Sequence, residues 1–161
     1  MPVLDRIDSA LAKFEAVAIG SLLIVMSAVA FLQVITRYCF FYSLVWSEEL
    51  TRYCMIWMTF LGASLAVSKQ EHINIDILSD YMKRRNLDIR VILNAMVLIF
   101  LAGCIFYSLN LVISTYENDQ MTPAIGFPMF TVYLVVLVAL CLAAFHALVR
   151  VLDVLIKGGR K

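Results

Sequence analysis

An all-α integral membrane protein is the fold class the sequence predicts: four transmembrane helices and a short interfacial amphipathic helix between the first and second. Three observations predict it. Of 161 residues, 63% are hydrophobic and only 16% charged, whereas soluble chains carry about 45–50% apolar residues. Four runs have almost no charge, Ala16–Thr36, Tyr53–Ser68, Val91–Tyr116 and Gln120–Val149, and all but the second exceed the roughly 20 residues needed to span a bilayer. The cations are segregated. Arg6, Lys13, five in Lys69–Arg90 and four in Arg150–Lys161 fall on one side, against Arg37 and Arg52 on the other. By the positive-inside rule both termini are cytoplasmic.

The expected plan is one membrane domain over residues 1–161, with spans at about 16–36, 53–68, 91–116 and 129–154. Connections this short leave no room for a soluble domain or a large extramembrane catalytic site. A net charge of +1 carries no nucleic-acid footprint. Cys39, Cys54, Cys104 and Cys141 show no C-x-x-C pairing and argue against a thiol oxidoreductase.

Taken in order, Met1–Glu15 predicts a short helix along the membrane face, with Val3, Leu4, Ile7, Leu11 and Phe14 on one stripe. The following run is too long for a signal-peptide core and reads as a retained first span. Gln33, near its far end, needs a partner on a neighbouring helix. Arg37–Tyr42 is an aromatic belt with one cation, as expected at a membrane boundary.

Ser43–Ser68 is the most informative stretch. Ser43 is placed to cap a helix over about 43–52 that lies in the interface and then bends into span two. Trp46, Leu50, Tyr53 and Trp57 make one stripe, and Glu48 and Arg52 share another face at i,i+4 spacing. The uncharged part covers only ~24 Å, short of a hydrocarbon core of about 30 Å. Glu48, Glu49 and Arg52 therefore sit at the membrane edge, where ionisable groups are costly unless paired, hydrated or buried. They read either as a docking element or as an anchor for a helix end. Gly62, Ala63 and Ala66, with Thr59, form small-x-x-x-small pairs that admit a close helix.

Lys69–Arg90 is expected to be a loop with a helical turn at Leu78–Arg85, its Ile73–Ile75–Ile77 alternation being too short for a strand. Asn94 and Asn110 in span three read as helix glue. Glu117–Phe127 holds no cation and reads, with Pro123, Gly126 and Pro128, as an external turn. Span four carries Ala139, Ala143 and Ala147 at four-residue spacing, a ridge for close approach. His72 and His146 raise the possibility of a bis-histidine haem, but no further ligand stands at useful spacing for a metal, and His146 beside Arg150 reads as interfacial. With carboxylates expected only at membrane edges, the chain lacks the midplane ionisable site of an autonomous carrier or proton-coupled multidrug exporter.

The residues Gln33-Val34-Ile35-Thr36-Arg37-Tyr38, Trp46-Ser47-Glu48-Glu49-Leu50-Thr51-Arg52, Trp57, Phe60-Leu61-Gly62-Ala63 and Glu71-His72-Ile73-Asn74-Ile75-Asp76 carry a resemblance by their order and spacing. The chain strongly resembles the small (Q-type, DctQ-like) membrane subunit of tripartite ATP-independent periplasmic (TRAP) transporters. The motifs cover about Gln33–Asp76, and the rest matches as a four-span plan. The resemblance implies a non-enzymatic scaffold in the bacterial inner membrane. Its partners would be a large membrane subunit that imports an organic acid with sodium, commonly a C4-dicarboxylate or sialic acid, and a periplasmic substrate-binding protein, with lipids at the seam. It implies no cofactor and no metal. Arg37, Glu48, Glu49 and Arg52 would form an outer polar network, Trp46 and Trp57 the anchors, and Gly62, Ala63 and Ala66 a close-packing face. A haem-bearing respiratory anchor and the small subunit of tripartite tricarboxylate carriers remain as alternatives, the latter separated only by the Trp-Ser-Glu-Glu-Leu-x-Arg match.

Overall fold

Long apolar runs without internal proline have one way to satisfy their backbone in lipid, which is to close every hydrogen bond within the helix. The computed structural model describes residues 2–69 and 89–158, and within them the chain forms four helices. These are α1 (Pro2–Cys39), α2 (Val45–Lys69), α3 (Ile89–Glu117) and α4 (Met129–Gly158). All four are long and apolar enough to cross a membrane. His72, the Ile73–Asp76 alternation and the turn expected at Leu78–Arg85 lie outside the described residues.

The helices form a row rather than a ring. α1 packs on α2, α2 on α4, and α4 on α3, with a lesser contact between α1 and α4. α4 is therefore the centre, and its alanine ridge is why. Ala139, Ala143 and Ala147 are all buried, and α3 approaches closely enough for Leu101 to pack with Ala143 and Ala147, flanked by Val97, Leu98 and Leu140. The expected close approach at Gly62 is not made within the chain: a Cβ there would meet nothing within 4 Å, and Ala63 is exposed.

Two expected breaks are absent. No separate helix precedes span one, because α1 runs unbroken from Pro2 through Glu15 into the apolar run. Nothing between Lys13 and Val17 opposes a helix, and Asp8 and Glu15 face other helices rather than water. Likewise residues 45–52 are the first turns of α2, continuous with span two. Ser43 lies outside the helix and does not cap it; Ser47 instead returns its hydroxyl to the Leu44 carbonyl at 2.7 Å. The chain reverses between α1 and α2 through Phe41, whose φ of 51° is left-handed, a conformation costing a non-glycine residue about 1 kcal/mol. The Phe40 and Tyr42 amides both donate to the Thr36 carbonyl at 3.1 Å, closing the end of α1.

At 38 residues α1 is about 57 Å long, well beyond the hydrocarbon thickness. None of its residues from Ala16 to Cys39 is buried. Val17, Ile24 and Phe31 on α1, and Ile99, Phe100 and Tyr107 on α3, are each at least two-thirds exposed, so both ends of the row present bare apolar faces.

The ridge sets a test. Ala143→Leu should cost about 1–3 kcal/mol by overpacking the α3–α4 contact, whereas Ala63→Leu on the open face should change stability by less than about 0.5 kcal/mol. Thermal unfolding of the purified chain in mild detergent distinguishes the two.

Candidate functional site: two polar ties at opposite ends of the row

The loop between α3 and α4 starts where Asp119 turns left-handed (φ 47°) and the Gln120 amide donates back to the Thr115 carbonyl at 3.3 Å. It then folds as a tight antiparallel reversal. Thr122 N–H donates to the Phe127 carbonyl at 2.8 Å, the Phe127 amide donates to Thr122 Oγ1 at 2.9 Å, and Met121 bridges Pro128. Gly126, at φ 71°, supplies the positive-φ position such a turn requires.

Two amides at the tip point outward from this turn, and a buried carboxylate answers them. Glu49 Oε2 accepts from Ala124 N–H at 2.7 Å and Ile125 N–H at 2.9 Å, while Oε1 accepts the Tyr53 hydroxyl one turn along α2. Ionised acceptors make the stronger hydrogen bonds, worth about 1.5–3 kcal/mol each. Glu49 is thus a clamp that fixes the loop onto α2. Beside it Trp57 Nε1 donates to the Val132 carbonyl of α4 at 3.1 Å. Glu48 points the other way and accepts from Gln33 Nε2 of α1 at 3.0 Å, the partner that Gln33 needed.

The expected single network of Arg37, Glu48, Glu49 and Arg52 is therefore split. Its acids are committed to α1 and to the loop. Arg37 and Arg52 are exposed and make no hydrogen bond or ion pair among the described residues. Trp46 is 39% exposed, and Trp57 ties α2 to α4. Arg52, Glu48 and Glu49 line a recess of about 380 Å³ with Ile56, Pro123 and Tyr133.

The second tie lies at the other end of the row and was not anticipated. Asp8 and Glu15 on α1, Ser64 and Ser68 on α2, and His146 and Arg150 on α4 converge there, and all but Arg150 are buried. His146 Nδ1 is 2.6 Å from Asp8 Oδ1, and its Nε2 is 3.5 Å from Glu15 Oε2. Ser64 donates to Glu15 Oε1 at 2.6 Å, and Ser68 to Asp8 Oδ2 at 3.5 Å. Arg150 Nη2 reaches Asp8 Oδ2 at 3.1 Å and also donates to the Ser68 carbonyl.

One expectation is corrected here: Glu15 is not part of a surface helix, and neither it nor His146 exposes any surface. The signal was available in spacing, since Asp8 and Glu15 are seven apart and Ser64/Ser68 and His146/Arg150 four apart, each pair on one helix face. Because both ring nitrogens of His146 face carboxylate oxygens, this side chain is not presented as an axial ligand to a haem.

Comparison with known proteins supplies the context. Residues 26–156 match the sequence profile described as "Tripartite ATP-independent periplasmic transporters, DctQ component". The small permease protein TeaB of an ectoine TRAP transporter from Halomonas elongata is 34% identical over 137 residues, covering 81% of this chain and 68% of TeaB. The permease protein SiaT of a sialic acid TRAP transporter from Haemophilus influenzae is 35% identical over 111 residues, 69% of this chain but 17% of that longer polypeptide. The small permease protein DctQ of a C4-dicarboxylate TRAP transporter from Vibrio cholerae is 29% identical over 92 residues, 57% of this chain and 37% of DctQ.

Removing the clamp should free the turn. Glu49→Ala is expected to leave the Ala124 and Ile125 amides unpaired and to raise their hydrogen exchange by at least about tenfold, the loss of roughly 1.4 kcal/mol or more. Exchange mass spectrometry on the full chain reads this, with Cys141→Ala, an exposed site on α4, as the unchanged control.

Proposed function

We propose, for a chain that belongs to the DctQ-component family of TRAP transporters and is a multi-pass inner-membrane small permease subunit rather than an enzyme, that it acts as the static scaffold of the transporter. In this reading it widens and braces a large permease subunit. That partner carries out sodium-coupled uptake of a small organic solute handed over by a periplasmic binding protein.

The observation that carries the scaffold reading is the distribution of polar side chains. The buried carboxylates described, Asp8, Glu15 and Glu49, and the buried His146 are each engaged by another helix or by the outer loop of the same chain. Along the spans between the two ties the surface is apolar, and α1 buries none of its residues from Ala16 to Cys39. A chain built this way has rigid ends and bare flanks that fit a partner's helices and the surrounding lipid. The open face at Gly62 and Ala63 is suited to one of those helices, since small residues let backbones approach.

The segment of SiaT that matches this chain is one part of a longer permease polypeptide, which supports a one-to-one association of the small subunit with a large one. The relatives' names specify ectoine, sialic acid and C4-dicarboxylate. Similar small subunits thus serve chemically different solutes, which favours placing solute choice in the partners. An organic acid remains the class inferred for this system. The cation distribution supports both termini facing the cytoplasm, so that the Glu49-clamped loop, Arg37 and Arg52 face the periplasm with the first turns of α2 in the outer interface. There the two unpaired arginines and the braced loop offer a contact surface to the partners.

Co-purification from native membranes tests the reading: a stoichiometric large permease should accompany the tagged chain. Reconstituted with that subunit and the binding protein, the complex should show sodium-dependent uptake. Arg52→Ala should lower uptake several-fold while leaving the purified chain's unfolding temperature unchanged, because Arg52 makes no hydrogen bond or ion pair among the described residues. A lone homo-oligomer, or full uptake without this subunit, would remove the scaffold role.

A further inference from the structure

The tie at the terminal end of the row contains an arithmetic that its protein atoms alone do not close. Glu15 Oε2 and His146 Nε2 are both buried, face each other at 3.5 Å, and have no other partner. A water shared by the two at about 2.8 Å from each would have to sit to one side of that gap, where both atoms are buried in protein. Two lone pairs would repel across it. A proton between them turns the contact into a charge-assisted hydrogen bond.

Charge counting gives the same answer. Asp8 and Glu15 face His146 from α1, Arg150 adds its guanidinium from α4, and α2 offers only the Ser64 and Ser68 hydroxyls. Among the described side chains of α3, Val97, Leu98 and Leu101 pack at the adjoining Ala143 and Ala147. Lys13 and Lys69 are exposed and do not enter the cluster. Counted over the described residues, the cluster with a neutral imidazole holds one uncompensated negative charge beside the hydrocarbon, a costly state. With an imidazolium, Nδ1 donates to Asp8 and Nε2 to Glu15, and the cluster is neutral.

We propose that Asp8, Glu15 and His146 form a binding site for a single exchangeable proton, and that this proton latches α1 to α4. Release transfers it from the Nε2–Oε2 contact to bulk water past the partly exposed Arg150, with no other bond made or broken. The ligand is the proton itself, and the consequence of its loss is separation of α1's first turns from Ser64, Ser68 and His146. The site thereby links the attachment of α1 to the pH on the side of the membrane where the termini lie.

The test uses the full chain in lipid nanodiscs with ¹⁵N-labelled histidine, and His72→Gln to leave one imidazole. Both ring nitrogens of His146 should be protonated at about pH 7 and one should lose its proton at alkaline pH. Glu15→Gln should abolish the second protonation at neutral pH, and Ser64→Ala should preserve it. Between the ordinary imidazole value of about 6.5 and the wild-type transition, amide exchange in residues 8–15 should rise about tenfold per pH unit beyond the intrinsic dependence, as loss of one linked proton requires. A singly protonated His146 at neutral pH would overturn the proposal, and so would α1 exchange that follows the intrinsic rate alone. Neither readout depends on Glu15→Gln folding.

Discussion

Asp8 and Glu15 meeting His146 and Arg150 is the contact on which α1's place in the molecule depends. In water an apolar helix would be driven onto its neighbours, but lipid tails are as apolar as leucine and give little such drive. α1 shows the result: its apolar run contains no fully buried residue, and polar ties locate it. One joins Gln33 to Glu48 near its loop end. The other engages Asp8 and Glu15 with α2 and α4. Glu15 and Gln33 are 18 positions apart, about 27 Å of helix, so the two ties sit near opposite margins of a hydrocarbon core of about 30 Å.

The same logic divides the remaining contacts by type. α3 and α4 have an alanine ridge and meet by close packing, which in lipid is the main alternative to hydrogen bonding. α2 mixes both means, with Tyr53, Cys54 and Leu61 buried beside Ser47, Ser64 and Ser68. A row of four helices ordered α1, α2, α4, α3 follows. It leaves two broad flanks, whereas a ring would bury both edge helices against each other. Broad flanks are what a brace for a larger neighbour requires.

How far the sequence revealed this depends on the kind of signal. Four helices follow from run length, and the Ala139–Ala143–Ala147 core follows from spacing, because both are local. The need of Gln33 for a helix partner was also legible, although the partner's identity as Glu48 was not. Glu49 reads from the sequence as one member of an edge network, and only the fold of residues 118–128 shows two backbone amides aimed at it. Asp8 and Glu15 misled for a different reason. A charged, amphipathic lead before an apolar run looks like a surface helix, and what buries it is a histidine 138 positions away from Asp8. Pairing at such separation leaves no mark in composition, only the i,i+7 and i,i+4 registers on three separate helices.

The motif Trp-Ser-Glu-Glu-Leu-Thr-Arg consequently divides into inward and outward parts. Glu49 and Ser47 are buried and serve the chain's own loop and helix start, and Glu48 serves α1. Arg52, one turn beyond Glu48, answers neither carboxylate and remains exposed. A long, charged side chain carries about 2 kcal/mol of rotamer entropy, and an exposed ion pair returns about 0–1 kcal/mol, so leaving Arg52 unpaired costs the fold little. Its charge is then free to act on whatever approaches this end of the molecule. The acids hold this end of the chain together, and Arg37 and Arg52 are left exposed there without a hydrogen bond or ion pair among the described residues, as the proposed contact with a partner requires.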